Sequence, residues 1–327
     1  MSGLWSVALR GALDAFASIG LDAERIRREA HIDPTQLADP DARIPLVASG
    51  AIWPAAAAQW GRPGLGLWAG SALSFGKLEA LDYGLATAST VGEALARMTR
   101  YADVVTAGAT GFALVGGQRG EPARFELRGY GMPDLRDYAL AVSVRRIGIL
   151  GVTPAAVTIA GPPVVSRREY EAQLGCAVEL ESEGTAVRLP DGALEQVVPQ
   201  RYPGLRATVE REMARLLELA RASGDPLAEV RREVTTLLGP VPPTIDAVAA
   251  RLGLSRRQLQ RRLAQHETSF TRVVEESRRS LAELYVDEGR LGVAEIAYLL
   301  GYSEPSAFSR AFKRWTGSSP DHRRARS

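Results

Sequence analysis

The chain has 327 residues, 46% hydrophobic and 24% charged, which are ordinary proportions for a soluble globular protein with room for two separate cores. Net charge is only +2, yet residues 226–327 carry 17 Lys and Arg against 12 Asp and Glu, while residues 1–225 carry 23 against 26. One cysteine, Cys176, excludes an intramolecular disulfide, the start "MSGLWSVALRGALDAF" lacks a basic leader and contains Asp14, and no apolar run is long enough to span a bilayer.

In chain order, residues 4–100 read as helical. "SVALRGALDAFASIG" carries an apolar stripe and stops at Gly20, "DAERIRREA" follows, and "IDPTQLADPDARIP" reads as a Pro/Asp-rich turn. "LVASGAIWPAAAAQW" is Ala-rich, and "TVGEALARMTRYADVV" opens on Thr90 with Glu93 three residues on, a helix-capping signal. The period then changes. "GFALVGGQRGEPARFELRGY" (111–130) alternates and turns at glycines, predicting a β-hairpin. A helix over 133–150, a strand at "AAVTIAG", a helix at "SRREYEAQLG" and a strand pair in "AVELESEGTAVRLP" complete an α+β domain over residues 1–204. The amphipathic stretch from Leu205 to Ala220 has a stripe that suits either a twin helix in a dimer or its own domain, and "ASGDP" then breaks the chain. Residues 205–225 thus form a helix and linker ahead of a third segment, 226–327.

That third segment contains a repeat. "IDAVAARLGLSRRQLQRRLAQHETSF" has Ala249, Gly253 and Ser255, and "VAEIAYLLGYSEPSAFSRAFKRWTG" has Ala297, Gly301 and Ser303 at a constant offset of 48. Ile245, Val248 and Leu252 match Val293, Ile296 and Leu300 in the same register. In each copy an apolar helix meets a tight turn: the Ala permits a close crossing, the Gly takes a conformation that a Cβ disfavours, and the Ser is placed to begin the next helix. In the second helices the offset becomes 49 (Leu259 to Phe308, Arg261 to Arg310, Leu263 to Phe312), so the second turn holds one extra residue beside Pro305. Two helix-turn-helix patterns in tandem, each with Arg on the outward side of its second helix, point to DNA as the anionic partner.

Residues 226–325 resemble the DNA-binding domain of the AraC/XylS family of bacterial transcription regulators, through "GYSEPSAFSRAFKRWTGSSP" and "GLSRRQLQRRL". The body resembles that family's arabinose-binding-type N-terminal domain through "DARIPL", "FGKLEALDYGLATASTVGEALARMTRY" and the hairpin after it. The resemblance implies an all-α DNA-binding domain whose two helix-turn-helix motifs, joined by a linker helix over 270–288, enter successive major grooves of double-stranded DNA. It also implies a sequence-specific regulator controlled by a small-molecule effector, forming a homodimer and contacting RNA polymerase if it activates.

On the first recognition helix, Arg256, Arg257, Gln260 and Arg261 are expected opposite Leu259 and Leu263. The resemblance assigns base reading to Arg257, Gln260 and Arg261, since Arg forks onto guanine and Gln onto adenine. On the second, Phe308, Phe312 and Trp315 mark a buried face, Ser306 and Arg310 face the bases, and Lys313 and Arg314 suit phosphates. Effector-binding candidates cluster at the end of the hairpin and on the following helix: Tyr130, Asp134, Arg136, Tyr138 and Arg145.

Two other readings compete: a constitutive regulator whose body only dimerises, and an enzyme with a DNA-binding tail. The enzyme reading lacks a motif. His31, His266 and His322 are scattered, Cys176 has no His near it in sequence, and "VGGQRGEP" is a hairpin turn rather than a phosphate loop. No catalytic residue, metal ligand, cofactor or membrane partner is therefore expected, and the cytoplasm is the expected location.

Overall fold

The computed structural model describes residues 3–106, 110–117, 122–130, 132–199, 204–222, 227–239, 241–288 and 291–324. The hairpin turn at 118–121 and residues 223–226 of the "ASGDP" break lie outside these. The chain divides into two compact units, Met1–Gly224 and Asp225–Ser327.

Unit 1 runs β1 (Gly3–Trp5), α1 (Ser6–Ser18), α2 (Ala23–Glu29), α3 (Pro34–Ala38), β2 (Arg43–Pro45), α4 (Leu46–Trp60), α5 (Leu65–Ala72), α6 (Ala80–Ala86) and α7 (Val91–Val105). It continues through β3 (Gly111–Val115), β4 (Arg124–Arg128), α8 (Pro133–Ile149), β5 (Ala156–Ala160), α9 (Arg167–Leu174), β6 (Ala177–Ser182), β7 (Thr185–Arg188) and α10 (Arg206–Ala222). The all-helical reading of residues 4–100 needs correction, because β1 and β2 pair antiparallel. Strands of three residues are too short to show alternation, and this ribbon is held by tertiary contacts. A Cβ on Gly3 would sit 2.6 Å from the Ile44 carbonyl oxygen, and the Arg43 guanidinium lies 4.4 Å from the Trp5 ring centroid.

The main sheet has the order β3-β4-β7-β5-β6, antiparallel except for the parallel β5–β6 pair. β6 and β7, adjacent in sequence, are not hydrogen-bonded partners: β5 lies between them. The β5–α9–β6 crossover puts β6 parallel to β5, and the chain then returns as β7 along β5's other edge. Behind the sheet α8 crosses α5 at very short range. A Cβ on Gly66 would lie 1.8 Å from the Asp134 carbonyl oxygen, and one on Gly70 would lie 2.5 Å from that of Tyr138. Only glycine, four residues apart on one face, allows this crossing.

The stripe of α10 is spent inside its own unit. Val209, Met213 and Leu216 are buried in the unit 1 core, and the Met213 sulfur lies 2.7 Å from where a Cβ on Gly84 would be. Arg215 adds a two-point ion pair to Asp41, with both bonds 3.0 Å.

Among the described residues unit 2 is all helical: α11 (Ala228–Leu237), α12 (Ile245–Arg251), α13 (Arg256–Gln265), α14 (Phe270–Glu288), α15 (Val293–Leu299), α16 (Pro305–Thr316) and α17 (Pro320–Arg324). It has two cores strung on α14. Val273 and Val274 join Val248, Leu259 and Leu263 in the first, while Ala282, Tyr285 and Val286 join Ile296, Phe308 and Phe312 in the second. At about 1.5 Å per residue, the 19 residues of α14 give a rod of about 28 Å.

Candidate nucleic-acid interface

The two turns of the repeat share their closing hydrogen bond and their left-handed glycine. Leu254 N–H donates to Ala249 O and Tyr302 N–H to Ala297 O, each at 2.9 Å, and Gly253 and Gly301 stand at φ +65° and +73°. The left-handed conformation costs a Cβ-bearing residue about 1–2 kcal/mol, which explains the glycine in both copies. Ala249 and Ala297 are buried at the crossings, as their small size requires.

The serines are not equivalent. Ser255 caps α13: its hydroxyl accepts from Gln258 N–H at 3.3 Å, and the Gln258 side chain accepts from Ser255 N–H at 2.7 Å. Ser303 caps nothing. The cap of α16 is Glu304, with no side-chain cap bond, because the extra residue shifts the helix start to Pro305. Pro305 has no N–H at the position where a helix leaves one unsatisfied, so the start tolerates the missing hydroxyl.

Arg257, Gln260 and Arg261 are exposed on α13, and Leu259 and Leu263 are buried beneath them. Arg256 is exposed too, but at 100° per residue it lies on the flank, where it pairs with Asp246 of α12 at 3.1 Å. On α16, Ser306, Arg310 and Lys313 are exposed, and Phe308 and Phe312 are fully buried. No ion pair or hydrogen bond engages the side chains of Arg257, Arg261, Arg310 or Lys313 among the described residues. Arg314 differs: it donates to Glu275 of α14 at 2.6 Å, beside a 3.1 Å bond from Trp315 Nε1 to the same oxygen. These two donors hold the Glu275 carboxyl below the usual carboxylate range.

Sequence reasoning missed one part of this face. Gln265 and His266 join Leu254, Gln258, Arg261 and Arg262 around a shallow concavity of about 470 Å³. Gln265 is four residues beyond Arg261, itself four beyond Arg257, so helical spacing alone could have placed all three on one ridge.

The effector candidates sit in different surroundings at the end of the hairpin and along α8. Arg136 is buried and turned inward, donating to Asp137 at 2.8 Å and to the Ala160 carbonyl at 2.5 Å, while Tyr170 donates to Asp137 at 2.5 Å. Asp134 is buried and accepts from Gly66 N–H at 3.3 Å. Tyr130 is half-buried against Phe112, with ring centroids 5.9 Å apart. The Tyr138 hydroxyl is buried without a hydrogen-bond partner among the described residues, its ring sits edge-on to Trp53, and burial pushes its phenol up. Arg145 is exposed, about 14 Å along α8 from Arg136.

A family model described as the arabinose-binding domain of AraC transcription regulators matches residues 20–198, and a helix-turn-helix domain model matches residues 248–326. A DprA winged-helix model also matches residues 217–269, but here α13 leads into the long helix α14 rather than a wing. An ornithine utilization regulator of Pseudomonas aeruginosa is 27% identical over 319 residues, spanning 96% of this chain and 94% of its own. The regulator VirS of Mycobacterium tuberculosis is 41% identical over 80 residues, 24% of each chain. The crystal structure of the regulator CdpR from Pseudomonas aeruginosa covers 91% of this chain and 97% of its own at 22% identity, with a TM-score of 0.40. With the arabinose-binding-type model spanning more than half of the chain, this protein belongs to the AraC family and is a DNA-binding transcriptional regulator.

Proposed function

We propose that unit 2 reads two successive major grooves on one side of the duplex, α13 entering one and α16 the next. The observation that carries this reading is the arrangement on α14: two helix-turn-helix cores occupy its two halves, and each exposes a basic recognition helix. Successive grooves lie about 34 Å apart, which a rod of about 28 Å plus the breadth of its end units can bridge. Arg257, Gln260 and Arg261 read bases, Ser306 and Arg310 contribute a weaker second reading, and Lys313 grips phosphate. Selection of binding sites from random duplex DNA tests this: two separated base clusters are expected, and a single short cluster would contradict it.

In the same reading unit 1 takes a small-molecule effector that alters promoter binding, and the protein acts as a cytoplasmic homodimer that activates transcription through RNA polymerase. The arabinose-binding-type match supports the sensor role. Dimerisation uses a surface other than the α10 stripe, because Val209, Met213 and Leu216 are already in the core. The regulator performs no catalysis. A thermal-shift screen of metabolites, followed by promoter binding with and without each hit, separates this sensor from a constitutive regulator.

A further inference from the structure

The two recognition helices are attached to the linker helix in different ways. On α13, ion pairs among the described residues join Arg256 to Asp246 of α12 and Arg262 to Glu229 of α11 at 3.3 Å. On α16 they run straight to α14. Glu275 accepts from both Arg314 and Trp315. One helical turn further on, Arg278 donates to the Leu300 carbonyl at 2.8 Å and the Gly301 carbonyl at 3.3 Å, with its guanidinium 4.9 Å from the Tyr302 ring centroid.

Glu275 and Arg278 are three residues apart and share one face of α14. One grips the end of the recognition helix and the other grips the turn before it, so α16 is held at two points. Gly301 is part of the same joint, since a Cβ there would lie 2.6 Å from Gly239 O and 3.2 Å from Arg278 Nη2. The Gly253 turn has no neighbour within 4 Å of the equivalent point.

The Glu275–Arg314 pair is solvent-exposed, with side chains 44% and 66% accessible. Exposed pairs contribute little to folding stability, so its consequence is geometric. Resting on the two-groove reading above, we infer that Glu275 and Arg278 are positioning residues that set the separation between the two recognition helices. They thereby select the spacing between the two half-sites, and Arg314 serves that joint rather than a phosphate.

Fluorescence anisotropy of the full chain on its selected site, and on the same site with one base pair added or removed between half-sites, tests the assignment. Wild type should lose roughly tenfold affinity on either shift, the scale of a mismatched base pair. Glu275→Ala should melt like wild type, bind the native spacing more weakly and show a flattened spacing profile with unchanged base preferences within each half-site. Arg278→Lys, which keeps the charge but loses the planar fork that reaches both carbonyls and lies over Tyr302, should flatten it too, and the swap Glu275→Arg with Arg314→Glu should restore part of it. Arg314→Ala should leave the salt slope of binding unchanged. Variants that keep the wild-type ratio between native and shifted sites overturn the assignment, as does a salt slope that falls in Arg314→Ala. A wild-type profile that is itself flat overturns the two-groove reading and the assignment with it.

Discussion

Arg146 of α8 and Asp82 of α6 form a two-point ion pair inside unit 1, with Nε to Oδ1 at 2.7 Å and Nη2 to Oδ2 at 3.0 Å. Both side chains are essentially inaccessible to water, at 1% and 0%. The remaining polar atoms are satisfied by the loop between α5 and α6: Arg146 donates to the Leu73 and Ser74 carbonyls, and Asp82 accepts from Gly76 and Leu78 N–H. Removing either partner strands the other charge in the core. Asp82→Ala or Arg146→Ala should therefore cost about 3–5 kcal/mol, read as a lowered midpoint of chemical denaturation.

The two glycines of the tandem turns should respond unequally. Gly253→Ala places a Cβ in open space and pays only for its left-handed backbone, about 1–2 kcal/mol. Gly301→Ala pays the same backbone cost and also meets the Gly239 carbonyl at 2.6 Å, adding about 1–3 kcal/mol of overpacking strain. Denaturation of the two variants side by side checks the order.

The helix-turn-helix pair was legible because its signals are local: an Ala, a Gly and an apolar triplet recur at a fixed offset. The repeat places the cap of α16 at Ser303, whereas one inserted residue moves the start past it to Glu304. In unit 1 the adjacent arginines of α8 look alike in sequence. Arg145, the effector candidate, is exposed, while Arg146 is the buried one, and its partner Asp82 lies 64 positions away. No periodicity reveals such a pairing. The short β1–β2 ribbon and the insertion of β5 between β6 and β7 escaped for the same reason, since both are decided by distant partners.

Base reading and phosphate gripping separate by experiment. Arg261→Ala should weaken the selected site by about 1–3 kcal/mol and relax preference at one base position. Lys313→Ala should weaken selected and unrelated sequences alike and reduce the salt slope by about one unit. Anisotropy titrations on both duplexes across a salt series distinguish the two roles.

Cys176 should be a poor nucleophile. Burial, with the Glu171 carboxylate nearby, pushes its thiol above the usual cysteine range, and the thiolate is the reactive form. Alkylation by iodoacetamide should be slow at neutral pH and accelerate only as the pH rises past that of a free thiol, about 8.5. Fast labelling at neutral pH would revive a role for this cysteine in chemistry.

Hydroxyl-radical footprinting of the full chain on its selected site shows whether one chain engages two major grooves through α13 and α16. Protection in patches on one face of the duplex, spanning two grooves about one helical turn apart, is the predicted result, with the α16-side protection lost first in Arg310→Ala. Protection confined to a single groove, unchanged by substitutions on α16, would contradict it.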